Sequence, residues 1–196
     1  MEKGNEKKEM LVEDFALTLD YLPKGKSTSF KEEPIAQLLG EKYFTLLEVV
    51  PKGELKAMER VYIGKEERDK VLFIKKRINF EELTSTAQNE LENAINEIVK
   101  KESEKFLKFY NEAGPITIRR HQLELLPGLG KKHMRDILSE REKQAFKSFE
   151  DMEKRVPLMP NPEKTIIKRI ISELRDKDLK HYLFARPPKK ERLRFR

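Results

Sequence analysis

The residues of this chain best suited to chemistry lie in one short run, Leu125-Leu126-Pro127-Gly128-Leu129-Gly130-Lys131-Lys132. Glycine has no Cβ and tolerates positive φ, so a turn built on Gly128 and Gly130 can aim backbone N–H groups outward and let an anion come close to them. A helix opening at Lys131 would add its first N–H groups, which have no partners inside the helix and stand at the positive end of its dipole. Leu129 would tuck back between the flanking helices, and Lys131 and Lys132 would place full charges beside the same spot. The combination describes a cradle for phosphate. Arg119 and Arg120 before the turn, and Arg135, Lys164 and Lys168 after it, extend the expected contact surface.

Other chemistries fit less well. Glycosylases and lyases of base excision set a lysine just after such a turn and an aspartate about twenty residues on, and Lys132 and Asp151 come close to that spacing. Asp151, however, sits in Phe149-Glu150-Asp151-Met152-Glu153-Lys154, which reads as an exposed helical face. His121 and His133 are flanked by basic residues and read as neighbours of phosphate or solvent rather than general bases. The chain has no cysteine, which excludes disulfides and thiolate metal sites, and its three histidines are scattered. The expectation is a protein without catalytic residues, metal or cofactor.

Charge separates the two halves. Residues 1–113 carry 20 Lys/Arg against 23 Asp/Glu, and residues 114–196 carry 22 against 12, so the net +7 is the sum of −3 and +10. A strongly basic carboxyl-terminal half calls for a polyanion, because lysines and arginines that neutralise phosphates release condensed counterions. No apolar run approaches the roughly 18 residues that a membrane span needs, and the amino terminus is charged where a signal peptide would be apolar. A cytoplasmic protein is expected.

These residues need elements to position them. At 196 residues two modules are expected. Phe15, Leu17, Leu19 and Tyr21 alternate on one face of a strand ending at Pro23, and strand-like runs follow at Tyr43–Val50, Met58–Ile63 and Val71–Ile78, divided by Gly and Pro turns. Short strands so spaced predict a small curled barrel of the OB type. The period then lengthens: Leu83, Ala87, Leu91, Ile95, Ile98, Phe106 and Tyr110 mark one long helix that ends at Gly114-Pro115. Beyond it, helices are expected at Thr117–Leu126, Lys131–Lys147, Ser148–Val156 and from Glu163 to about Leu174. An offset of 33 residues sets Leu126-Pro127 on Met159-Pro160, with Asn161 and Glu163 in place of the glycines, as a tandem copy that has lost its phosphate cradle.

The fold class expected is therefore α+β: a disordered start at 1–11, an OB-like β-barrel at 12–83, a connecting helix at 84–113, an all-α helix-hairpin-helix domain at 114–184 and a basic tail at 185–196. Barrels of this type stack bases on exposed rings, and Tyr43, Phe44, Tyr62 and Phe73 are the candidates. The same surface would equally dock a protein partner.

Tyr43-Phe44-Thr45-Leu46-Leu47-Glu48, Glu59-Arg60-Val61-Tyr62-Ile63-Gly64-Lys65 and the turn from Leu126 to Lys132 resemble an archaeal family known as domain of unknown function 655, over most of the chain from Val12 to Phe184. The resemblance implies an OB-like barrel followed by a helix-hairpin-helix part, and RNA binding; it brings no catalytic residues. One position departs from the usual hairpin pattern: Met134 stands where a small residue is common. Residue types and resemblance together predict a monomeric, non-enzymatic nucleic-acid-binding protein, with RNA preferred to DNA. A DNA-binding or repair-associated protein and a ribosome-associated assembly protein remain as alternatives.

Overall fold

Five antiparallel strands form the first unit: β1 (Phe15–Leu22), β2 (Ile35–Gly40), β3 (Leu46–Pro51), β4 (Arg60–Tyr62) and β5 (Val71–Arg77), in the order β4-β1-β2-β3-β5. The structure, a computed structural model, describes residues 12–26 and 32–188. The expected start, 1–11, and most of the expected tail, 189–196, lie outside the described residues. The protein divides into two compact units between Ile78 and Asn79.

The sheet curls around a core that includes Ala36, Leu38, Leu47, Val49, Val61 and Val71. Its edges β4 and β5 pair with β1 and β3 respectively, so it is a half-barrel where a barrel was expected. Strand β2 gives no signal in the sequence because all six of its residues are buried, leaving no alternation to find. The strand expected from Tyr43 begins only at Leu46. A carboxylate displaces it: buried Glu13 accepts N–H bonds from Lys42 (2.8 Å), Tyr43 (3.0 Å) and Thr45 (3.0 Å), gathering the β2–β3 connection into a tight loop. Phe44, inside that loop, is fully buried with φ +50°. A Cβ at Gly40 would lie 2.2 Å from the Glu13 carboxyl carbon, so only glycine fits beside this clamp.

After a 3-10 turn, Phe80–Glu82, the second unit continues with α1 (Ser85–Lys101), capped by Thr84, whose hydroxyl accepts the Ala87 N–H at 3.1 Å. The stripe read as one connecting helix is two, because the chain leaves helical geometry at Glu102 (φ −100°, ψ 29°) before α2 (Ser103–Glu112). Helix α1 packs along α5 within this unit.

No helix spans Thr117–Leu126. Strands β6 (Pro115–Thr117) and β7 (Arg120–His121) form a small ribbon there, followed by one 3-10 turn, Gln122–Leu125. The run Pro115-Ile116-Thr117-Ile118 favours extended backbone, and Gly114 and Gln122 close the ribbon: the Gln122 N–H donates to the Gly114 carbonyl, and the Gly114 N–H to Gln122 Oε1. Helices α3 (Lys131–Lys143), α4 (Phe149–Arg155) and α5 (Pro162–Arg175) follow. Helix α3 stops short of Lys147 because Arg155 donates to the carbonyls of Glu140 and Gln144 while its guanidinium lies 4.6 Å from the Phe146 ring. Arg141 treats α2 likewise, donating to the Tyr110 and Ala113 carbonyls at 2.9 and 2.8 Å.

A buried ion pair ties this unit together. Glu173 accepts from Arg169 Nε at 2.7 Å and from the N–H groups of Leu183, Phe184 and Ala185 at 2.7, 2.9 and 2.8 Å. Arg169 also donates to the carbonyls of Leu125 and His181. The chain is therefore still anchored at residue 185, where the tail was expected to start.

Candidate functional site

The turn from Leu126 to Gly130 buries its two leucines and exposes its two glycines. The Leu129 N–H donates to the Leu126 carbonyl at 3.1 Å, and Leu129 packs inward as its place between the glycines predicts. Gly128 has φ +83°, but Gly130 has φ −82° and ψ 175°, so only Gly128 uses the left-handed freedom of glycine. At Gly130 a Cβ would meet nothing within 4 Å, so the space beside it is open.

Helix α3 starts immediately afterwards. Its first helical bond is Met134 N–H to the Gly130 carbonyl at 3.0 Å, and no side chain caps it. Among the described residues, nothing accepts from the N–H groups of Gly130, Lys131, Lys132 or His133. Helices α1, α4 and α5, in contrast, are capped by Thr84, Ser148 and Asn161.

All seven cations singled out in the sequence, Arg119, Arg120, Lys131, Lys132, Arg135, Lys164 and Lys168, are exposed, and none makes an ion pair among the described residues. Lys131, Lys132 and Arg135 occupy the first turns of α3, directly after the glycines. Lys164 lies in the first turn of α5, and Lys168 one turn on. Arg119 and Arg120 sit on the ribbon beside the fully exposed Ile118; no hydrogen bond or ion pair joins them to the glycine turn among the described residues.

The segment read from the sequence as a second copy forms a turn, Val156 to Asn161, whose Pro160 lies beside the first turn. A Cβ on Gly128 would lie 3.2 Å from Pro160 Cγ. Val156-Pro157-Leu158 answers Leu126-Pro127-Gly128, with φ +64° at Leu158 against +83° at Gly128. At the turn itself an offset of 30 residues aligns the two positive-φ positions, setting Leu158 opposite Gly128 where the offset of 33 sets Asn161. The preceding Val-Pro, matching Leu-Pro, was the available signal.

Asp151 accepts from the Lys147 N–H at 3.0 Å and Arg155 Nη1 at 3.2 Å, and the Lys147 bond, with the nearby Arg155, holds its carboxyl below the usual range. Its contacts are those of a helix-start carboxylate. Of the four rings proposed as base platforms, Phe44 is core and Tyr62 packs edge-on against Phe15 at 5.3 Å. Phe73, on edge strand β5, is 42% exposed.

His121 caps the 3-10 turn that leads into the glycine turn. Its Nδ1 accepts the Leu123 N–H at 3.1 Å, a role only the neutral ring can fill. Burial, with Arg141 nearby, pushes its pKa below the ordinary value. A depressed histidine contributes stability that is complete above its unfolded pKa of about 6.5 and is lost as pH falls through the folded value. An NMR titration should give a His121 midpoint below about 6.5; a midpoint above it would contradict the cap.

The family described as "Protein of unknown function (DUF655)" matches residues 12–186. Uncharacterized protein MJ0038 of Methanocaldococcus jannaschii is 46% identical over 177 residues, which is 89% of this chain and 80% of that protein. The crystal structure of Af1531 from Archaeoglobus fulgidus is 47% identical, with a TM-score of 0.81 over 89% of this chain and 100% of that one.

Proposed function

This chain belongs to the DUF655 family, and we propose that it is a non-enzymatic protein that binds the sugar-phosphate backbone of a nucleic acid, RNA in preference to DNA. The observation that carries the reading is the bare start of α3: four N–H groups without acceptors among the described residues, next to an open glycine and two lysines without ion pairs. Those groups suit a tetrahedral dianion or diester, which accepts several bonds at once.

The same reading treats Val156–Asn161, with α4 and α5 on either side, as a helix-hairpin-helix, and the glycine turn as a relative whose first helix has shortened to a 3-10 turn. It treats the half-barrel as an open OB-like sheet, with Phe73 and Leu72 on its edge as the surface for an unpaired strand or a protein partner. The protein works as a cytoplasmic monomer, without cofactor; among the described residues no helix is long and apolar enough to cross a membrane.

Fluorescence anisotropy with labelled RNA and DNA of one sequence tests this. If about six phosphates are neutralised, affinity should fall roughly a thousandfold between about 50 and 200 mM salt, with RNA bound more tightly throughout. Affinity that is flat with salt would overturn the reading.

A further inference from the structure

Leu158 is an anomaly for packing alone. It is 89% exposed, so its side chain supports no core, yet it is held at φ +64°, where a leucine is strained and a glycine is not. Gly128 shows the unstrained solution at the matching place of the neighbouring turn. Pro157 and Pro160 bracket Leu158 and restrict the turn, so the side chain is held outward instead of folding onto the protein. Pro160, two residues after Leu158, lies against Gly128, so the turn that carries this apolar tip packs on the turn that carries the open N–H groups.

We propose that Leu158 is an apolar wedge that packs against the face of an unpaired base in the strand whose phosphate the Gly128–Lys132 turn holds. The wedge rests on the backbone-binding reading and adds a ligand class to it: a nucleic acid with accessible bases. A nucleotide presents a charged phosphate and an apolar ring a short distance apart, and the paired turns present the complements side by side. The surroundings favour this over a protein surface. Lys154 and Lys164, near the tip in the chain, are exposed and make no ion pair among the described residues, so an apolar protein patch here would press hydrocarbon toward charge. A nucleic acid supplies the phosphates for them. Apolar side chains placed against bases are a common device for bending or holding strands.

The test uses the full chain, an unstructured single-stranded RNA and an abasic backbone of equal length and charge. The parent should prefer the base-bearing strand by about tenfold. L158A and L158G should lose that preference, bind the abasic chain like the parent and keep its salt slope, while L158G, freed of backbone strain, melts no lower than the parent. Variants that keep the preference overturn the wedge, and so does an equal loss on both ligands, which would assign Leu158 to the fold or to a protein contact. A parent that binds neither chain overturns the backbone reading itself, and the wedge with it.

Discussion

Replacing Glu173 by alanine is expected to destabilise the second unit by about 3–5 kcal/mol, the usual cost of stranding one partner of a buried ion pair. Alanine would leave the Arg169 guanidinium without its counter-charge and the N–H groups of Leu183, Phe184 and Ala185 without an acceptor. Glutamine retains one carbonyl oxygen and should fall between alanine and the parent. Denaturant unfolding followed by circular dichroism reads the effect, and an alanine variant within about 0.5 kcal/mol of the parent would show that the pair does not hold the unit. The loss should reach the candidate site as well, since Arg169 also holds the carbonyl of Leu125, the residue before the turn.

The second large effect separates shape from charge at the turn. Gly130→Ala changes no charge, needs no unusual φ and meets no atom within 4 Å, so it should leave stability unchanged. Its methyl group would occupy the space through which a phosphate approaches the open N–H groups, and affinity should drop about tenfold or more, equivalent to about 1.4 kcal/mol. Gly128→Ala is a poorer probe, because a Cβ at φ +83° near Pro160 strains the fold too. Replacing Lys131 and Lys132 by alanine should instead make the salt slope shallower, by about 0.7–0.9 for each phosphate that is no longer neutralised. A Gly130→Ala protein that binds like the parent would reduce the turn to a packing element and move the grip to the ribbon or the basic carboxyl-terminal residues.

The sequence made visible what rests on local chemistry: the Leu-Pro-Gly-Leu-Gly turn, the buried Leu129, the helix start at Lys131 and the strands that begin or end at Gly and Pro. It concealed what depends on distant partners. β2 is buried on both faces and shows no period, and the delayed start of β3 follows from a carboxylate about thirty residues earlier in the chain. A helical pattern at Thr117–Leu126 gave way to a ribbon closed through Gln122, a contact no periodicity encodes. The second copy was legible, but with its register at Met159-Pro160 and not at Val156-Pro157, because Leu158 adopts a conformation that sequence reading reserves for glycine. Each of the seven selected cations is exposed, whereas Arg141, Arg155 and Arg169, chemically the same, are drawn into carbonyls and carboxylates by the tertiary fold.

Those inward arginines bear on how quickly an anion finds the turn. Arg141 covers the negative end of α2 and Arg155 that of α3, while the positive end of α3 is left bare. Two dipole ends that would repel a polyanion are thereby quenched, while the bare start of α3 would attract one. On the proposed reading, residues that never touch the ligand would ease its last approach to the turn, an effect that added salt would screen.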